Sequence, residues 1–166
     1  SSAASDVYKR QESAWGVGVI SGGFMLGAWG GFRRRIYTTL AGLIGMGAAL
    51  LTMGLLPPSA FPVALGAMFV GGVMNVLTNG PIFAILQAVV PPGMQGRVLL
   101  VMGSVVGAIA PLGMVIAGPV ADTLGVQVWF LAGGLACALT GALGLGVPSI
   151  VQLEERPPHR MQTPTP

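Results

Sequence analysis

The residues able to do chemistry inside the apolar stretches of this chain are few, and none of them is ionisable. Asn75 and Asn79 stand one helical turn apart, with Thr78 alongside. Two carboxamides on one helix face can hydrogen-bond a bound molecule, water or a neighbouring helix, and in hydrocarbon they are costly without such a partner. The spacing supports two readings: a polar patch facing a cavity, or an interhelical hydrogen bond that holds a bundle together. Ser21, Thr38, Thr39, Thr52, Ser104 and Thr140 are also embedded in apolar sequence, where hydroxyls can bond the carbonyls of the preceding turn. No Asp, Glu, Lys, Arg or His interrupts these stretches, which removes any proton relay or ion pair from them. Paired carboxylates and a nucleophile beside a base are missing too, so enzymatic chemistry is not expected. One cysteine, Cys137, and one histidine, His159, exclude a disulfide framework and a metal cluster, and no cofactor is expected.

The elements that must position these side chains are membrane helices. Only 8% of the 166 residues are charged and 53% are hydrophobic, with 27 glycines besides. An ordinary soluble domain carries about a quarter charged residues. The mean hydropathy is +0.79. Eight Lys and Arg in all make no phosphate-tracking stripe, so a nucleic-acid partner is excluded. The lipid bilayer is the expected surrounding, and the fold class is an all-α membrane protein.

A crossing helix needs about 20 mainly apolar residues. The charge-free run from Ile36 to Gly96 is far longer, and Pro57-Pro58 splits it before Pro91-Pro92 closes it. From Val98 to Leu153 the single charge is Asp122. These breaks predict five spans, over residues 14–31, 36–56, 61–90, 98–121 and 126–147. The third should kink at Asn79-Gly80-Pro81, with residues 82–90 emerging as a helical extension. Residues 153–166 are rich in proline and are expected to be a disordered tail.

Residues 1–11, SSAASDVYKRQ, match codon for codon the in-frame translation of a transposase-type sequencing-library adapter. They are therefore read as a disordered scar outside the fold. The natural protein is then expected to continue upstream, with an odd number of further spans.

The basic residues set the orientation. Alternating connections place Arg33, Arg34, Arg35, Arg97, Arg156 and Arg160 on one side, while the other side carries Glu12 and Asp122. By the positive-inside rule the basic side, with the C-terminus, is cytoplasmic, in a plasma (inner) membrane.

Close helix contact in lipid relies on small residues. Gly23, Gly27 and Gly31 recur every four residues in the first span, beside Gly18 and Gly22; Gly103 and Gly107 do so in the fourth. Those two spans are expected to pack tightly against other helices. The second and fifth, with Leu and Met more evenly scattered, are expected to face lipid.

Residues 26–36, LGAWGGFRRRI, join a Gly-rich helix to the next through a tight basic loop. This resembles the loop between helices 8 and 9 of major facilitator superfamily transporters, which repeats the family's Gly-x-x-x-Asp-Arg-x-Gly-Arg-Arg motif in weakened form. The Asp is absent here, so a charge relay built on it is not expected. Residues 89–98, VVPPGMQGRV, are followed by Gly103-Ser104, Pro111-Leu112-Gly113 and Ala117-Gly118-Pro119-Val120-Ala121-Asp122. That region resembles helices 10 and 11 of drug- and macrolide-efflux members, for which the Asn79-Gly80-Pro81 break is also typical.

The resemblance implies that the five spans are helices 8 to 12 of a twelve-helix fold. Helices 8 and 11 would meet the N-terminal half, helix 10 would line the cavity, and helices 9 and 12 would support it. It implies a proton-coupled exporter of hydrophobic small molecules such as drugs, macrolides or siderophores, working by alternating access. Asn75, Thr78 and Asn79 would then contribute to the substrate cavity. Two rivals are a non-transporting five-span assembly or sensory module, and a channel. A channel would need a polar face repeated along several helices.

Overall fold

The computed structural model describes residues 2–57 and 59–147. The expected tail at 153–166 lies outside the described residues. Five α-helices follow one another: α1 (Ser2–Trp29), α2 (Arg35–Leu55), α3 (Phe61–Val89), α4 (Pro92–Leu124) and α5 (Val126–Gly146). The proline pairs set the boundaries as expected. Val90 and Pro91 are extended, which ends α3, and Pro92 opens α4, where its missing N–H costs nothing.

Glycines make the packing. A Cβ on Gly18 would collide with the backbone of Phe69, and one on Gly72 with that of Trp15, so α1 and α3 touch backbone to backbone. Gly22 meets Val73 four residues further along both helices, so α1 and α3 run parallel. Gly42 meets Thr78 and Gly45 meets Met74, which makes α2 antiparallel to α3. Gly47 meets Gly134 and Ala138, while Gly141 meets Ile44 and Leu40, so α5 is antiparallel to α2. The ends of α1, α3 and α5 and the starts of α2 and α4 therefore share one end of the molecule.

Several expectations are corrected here. Residues 2–11, expected to be disordered, form the first turns of α1. No glycine or proline occurs before Gly16, and Ala, Lys, Arg, Gln and Glu are good helix formers. Among the described residues four helices, not five, are long and apolar enough to cross a membrane; α1 is not one of them. Its glycines and serines dilute its hydropathy, although it lies along α3. Helix α3 runs through Asn79-Gly80-Pro81 without a break in its helical course. Proline removes one N–H from the ladder, at Leu77 O. Gly80 beside it gives room for the Leu26 side chain of α1.

Within this chain α1 packs backbone to backbone on α3, while α2 and α5, expected to face lipid, meet each other through glycines, and α4, expected to pack tightly, is the peripheral helix. Helix α2 holds Thr38, Thr39, Leu40, Gly42, Gly47, Ala49 and Gly54 buried. No residue of α4 is buried. α4 is tied to its neighbours at its two ends. At the start, Gln95 Nε2 donates to the carbonyls of Gln87 at 2.9 Å and Val90 at 3.0 Å, bridging the proline pair. At the other end, Trp129 Nε1 donates to the Ala117 carbonyl at 3.2 Å. Trp129→Phe keeps the ring's bulk and loses that bond. It is expected to cost about 1 kcal/mol, read as faster amide exchange at the α4–α5 corner with total helicity unchanged.

Candidate functional site

The polar residues of α3 separate onto two faces. Asn79 is exposed and Asn75 half-buried, and Asn79 Nδ2 donates to the Asn75 backbone carbonyl at 3.0 Å. Asn79 thus caps a carbonyl within its own helix. The Asn75 carboxamide has no protein hydrogen bond among the described residues, so its donor and acceptor are available to a ligand. The two side chains sit on the arc of α3 that α1 and α2 leave uncovered.

Thr78 does not join them. It is buried, its hydroxyl donates to the Met74 carbonyl at 2.8 Å, and it packs against Gly42 of α2. One residue is about 100° of helical rotation, enough to carry Thr78 from the open face to the helix–helix contact. Ile82 and Phe83 continue the exposed surface beside the asparagines. This part of α3 is an apolar face with two carboxamides, able to orient a hydrophobic molecule by a few hydrogen bonds.

Four of the six described basic residues gather at the shared end, while Lys9 and Arg10 lie near the start of α1 at the opposite end. Arg33, Arg34 and Arg35 connect α1 to α2, and Arg97 is exposed in the second turn of α4. The connection is held tightly. Gly30 and Gly31 take φ of 75° and 76°, which glycine adopts without strain. The Phe32 N–H then donates to Thr38 Oγ1 at 2.8 Å. Gly31 therefore belongs to this turn, not to the helical packing stripe expected of it. Thr52 and Thr140 do bond the preceding turn, at 2.8 Å and 2.7 Å. Thr39 does not: its hydroxyl is buried with no partner among the described residues.

Of the glycines singled out by spacing, Gly18 and Gly22 are contact positions. Gly23, Gly27, Gly103 and Gly107 have nothing within 4 Å. The α2–α5 seam was not anticipated. Its signal was present: Gly47 and Gly54 are seven apart, as are Gly134 and Gly141, a heptad spacing that keeps one helix face toward a partner.

Comparison with known proteins supplies the context for this arrangement. The chain is 32% identical over 123 residues to macrolide efflux protein A of Streptococcus pyogenes, covering 74% of the chain and 30% of that protein. It is 34% identical over 150 residues to the multidrug efflux pump Tap of Mycolicibacterium fortuitum, covering 86% of the chain and 36% of that protein. With Tap of Mycobacterium tuberculosis the identity is 31% over 160 residues, covering 90% and 36%. The chain is a homologue of the drug- and macrolide-efflux proteins. It is a multi-pass membrane protein, and the resemblance read from residues 26–36 and 89–122 holds at the level of homology. The chain spans about a third of the length of these curated relatives. No protein-family model matches it, and no solved structure does.

Proposed function

We propose that the chain is the C-terminal part of a secondary exporter of hydrophobic small molecules, driven by the proton gradient and working by alternating access. The observation that carries the reading is its homology to efflux proteins over most of its length, including α3 and α4. The relatives' names point to macrolides and chemically varied drugs as the substrate class. The open face of α3 suits that class, because Asn75 and Asn79 offer hydrogen bonds on an otherwise apolar surface. Broken or proline-containing helices commonly line transporter cavities, and Pro81 lies two residues from Asn79.

The orientation follows from the arginines. The end carrying Arg33, Arg34, Arg35 and Arg97 is the cytoplasmic one, with the C-terminus on the same side of the inner membrane. The remainder of the transporter is the chain's principal partner, rocking against it around a midplane site.

The test is Asn75→Leu with Asn79→Leu in the full-length protein, measuring macrolide accumulation in cells. Losing two hydrogen bonds of about 1 kcal/mol each should lower export roughly tenfold or more at unchanged expression. Unchanged export would overturn the site. Absence of export by the unmodified full-length protein would overturn the function.

A further inference from the structure

A pocket lies at the end of the bundle opposite the arginine connection. Its volume is about 310 Å³, at the small end of the roughly 300–1,000 Å³ typical of small-molecule sites. Glu12 and Trp15 of α1, Leu50 of α2, Met68 of α3 and Phe130 of α5 line it. Tyr8 and Gln11 close it on one side, within the segment read as a scar. Trp15, Leu50, Met68 and Phe130 are half-buried, and Glu12 is exposed. No basic residue belongs to the lining. Lys9 and Arg10 stand on the same turns of α1, but both are exposed. Among the described residues Glu12 forms no ion pair or hydrogen bond, with them or with any other group. The pocket therefore joins an apolar wall, two large aromatic rings and one unpaired carboxylate.

We infer that this pocket binds an organic cation with an apolar arm, of the quaternary ammonium or pyridinium kind. Glu12 meets the charge, the Trp15 and Phe130 rings add cation–π attraction, and Leu50 and Met68 cover the arm. The occupant follows from the lining. A neutral apolar molecule would leave the carboxylate unused. A hard metal ion takes several oxygen ligands, and this lining offers a single carboxylate on an apolar wall. An organic cation uses both the charge and the wall. Met68 lies seven residues from Asn75 and eleven from Asn79, close to two and three helical turns. The pocket therefore ends the same arc of α3 that carries the asparagines, about 10 Å along the axis from Asn75. In the proposed exporter it is the far end of that face, but the binding inference stands apart from transport and its direction.

The test uses the chain in neutral detergent with Trp29→Phe and Trp129→Phe, leaving Trp15 as the only tryptophan. N-benzylpyridinium is the probe, because its charge is fixed and pyridinium quenches indole fluorescence on contact. Quenching of Trp15 should saturate. Glu12→Gln should raise the half-saturating concentration roughly threefold to fivefold, the scale of one exposed ion pair. Phe130→Leu should raise it by a similar factor. Acrylamide, a neutral quencher, should reach Trp15 equally in all three proteins, which separates lost affinity from changed exposure. Leu50→Phe fills the pocket and should abolish saturation. A chain retaining only Trp29, at the other end of α1, should show quenching that rises linearly. Quenching of Trp15 that never saturates overturns the site. So does a half-saturation unmoved by Glu12→Gln or by the filled pocket in a chain of unchanged helicity. Tyr8→Ala with Gln11→Ala should weaken binding less than Glu12→Gln does. A larger loss would assign the pocket to the leading segment and overturn it as a site of the natural protein.

Discussion

Gly18→Val with Gly72→Val should detach α1 from α3. At these positions the added Cβ would occupy the space of backbone atoms, the Phe69 carbonyl and the Trp15 carbonyl. A flexible side chain can swing aside; a helix backbone moves only as a unit. Overpacking a tight contact costs about 1–3 kcal/mol per site. Two such sites on one seam push the helices apart together, so their costs are coupled. The loss should be read as a lower midpoint of unfolding in detergent. A cysteine pair at Leu26 and Gly80, which face each other further along the seam, should lose its crosslink. Gly23→Val with Gly27→Val is the matched control. It makes the same chemical change at two positions of α1 where nothing lies within 4 Å. It should leave both readings unchanged. An equal loss in the two pairs would mean that valine disturbs the helices themselves, and the seam would not be the determinant.

That contrast also shows what the sequence made legible. The charge-free runs and proline pairs located α2, α3 and α5 to within a residue at each end, because hydrocarbon length and a missing N–H act locally, while α4, expected from residue 98 where the charge-free run begins, already starts at Pro92. Spacing identified Gly18 and Gly22 as contacts, but it could not say which glycine face of α1 meets which neighbour. Gly18 and Gly22 touch α3, while Gly23 and Gly27, about 100° around the helix, touch nothing. The polar patch was legible in its period and not in its membership. Asn75 and Asn79 are one turn apart and share a face, but Thr78 is turned into Gly42. Which side of α3 receives α2 is a tertiary fact, set by Gly42, Gly45 and Met74 together. An apolar groove lined by Trp29, Tyr37, Met74 and Leu145 was not legible at all, since its wall draws on four helices.

The second large effect concerns α4, and it should differ between the chain and the full-length protein. This helix has the highest hydropathy of the four candidate spans and none of its most apolar window is buried. Yet it carries Gly96, Gly103, Gly107 and Gly118 along one stripe, each with nothing within 4 Å. A face made only to meet lipid has no use for glycine, which costs about 1 kcal/mol relative to alanine in a helix and adds no apolar area. Glycine is suited to another helix coming close. In the proposed exporter that helix belongs to the rest of the transporter. Gly103→Leu with Gly107→Leu should therefore leave the unfolding midpoint of this chain unchanged, or raise it slightly. In the full-length protein the same replacement should hold two helices apart and cut drug export by roughly two orders of magnitude, the scale of about 3 kcal/mol lost at a close contact. Membrane insertion and expression should be retained, since leucine favours both. Comparing the two proteins separates a contact face from a merely fragile helix. Damage in both would place the fault in α4's own helicity. Export unaffected by the leucines would mean that the stripe faces lipid after all, and that α4 is held in the exporter by its ends, at Gln95 and Trp129, as it is in this chain.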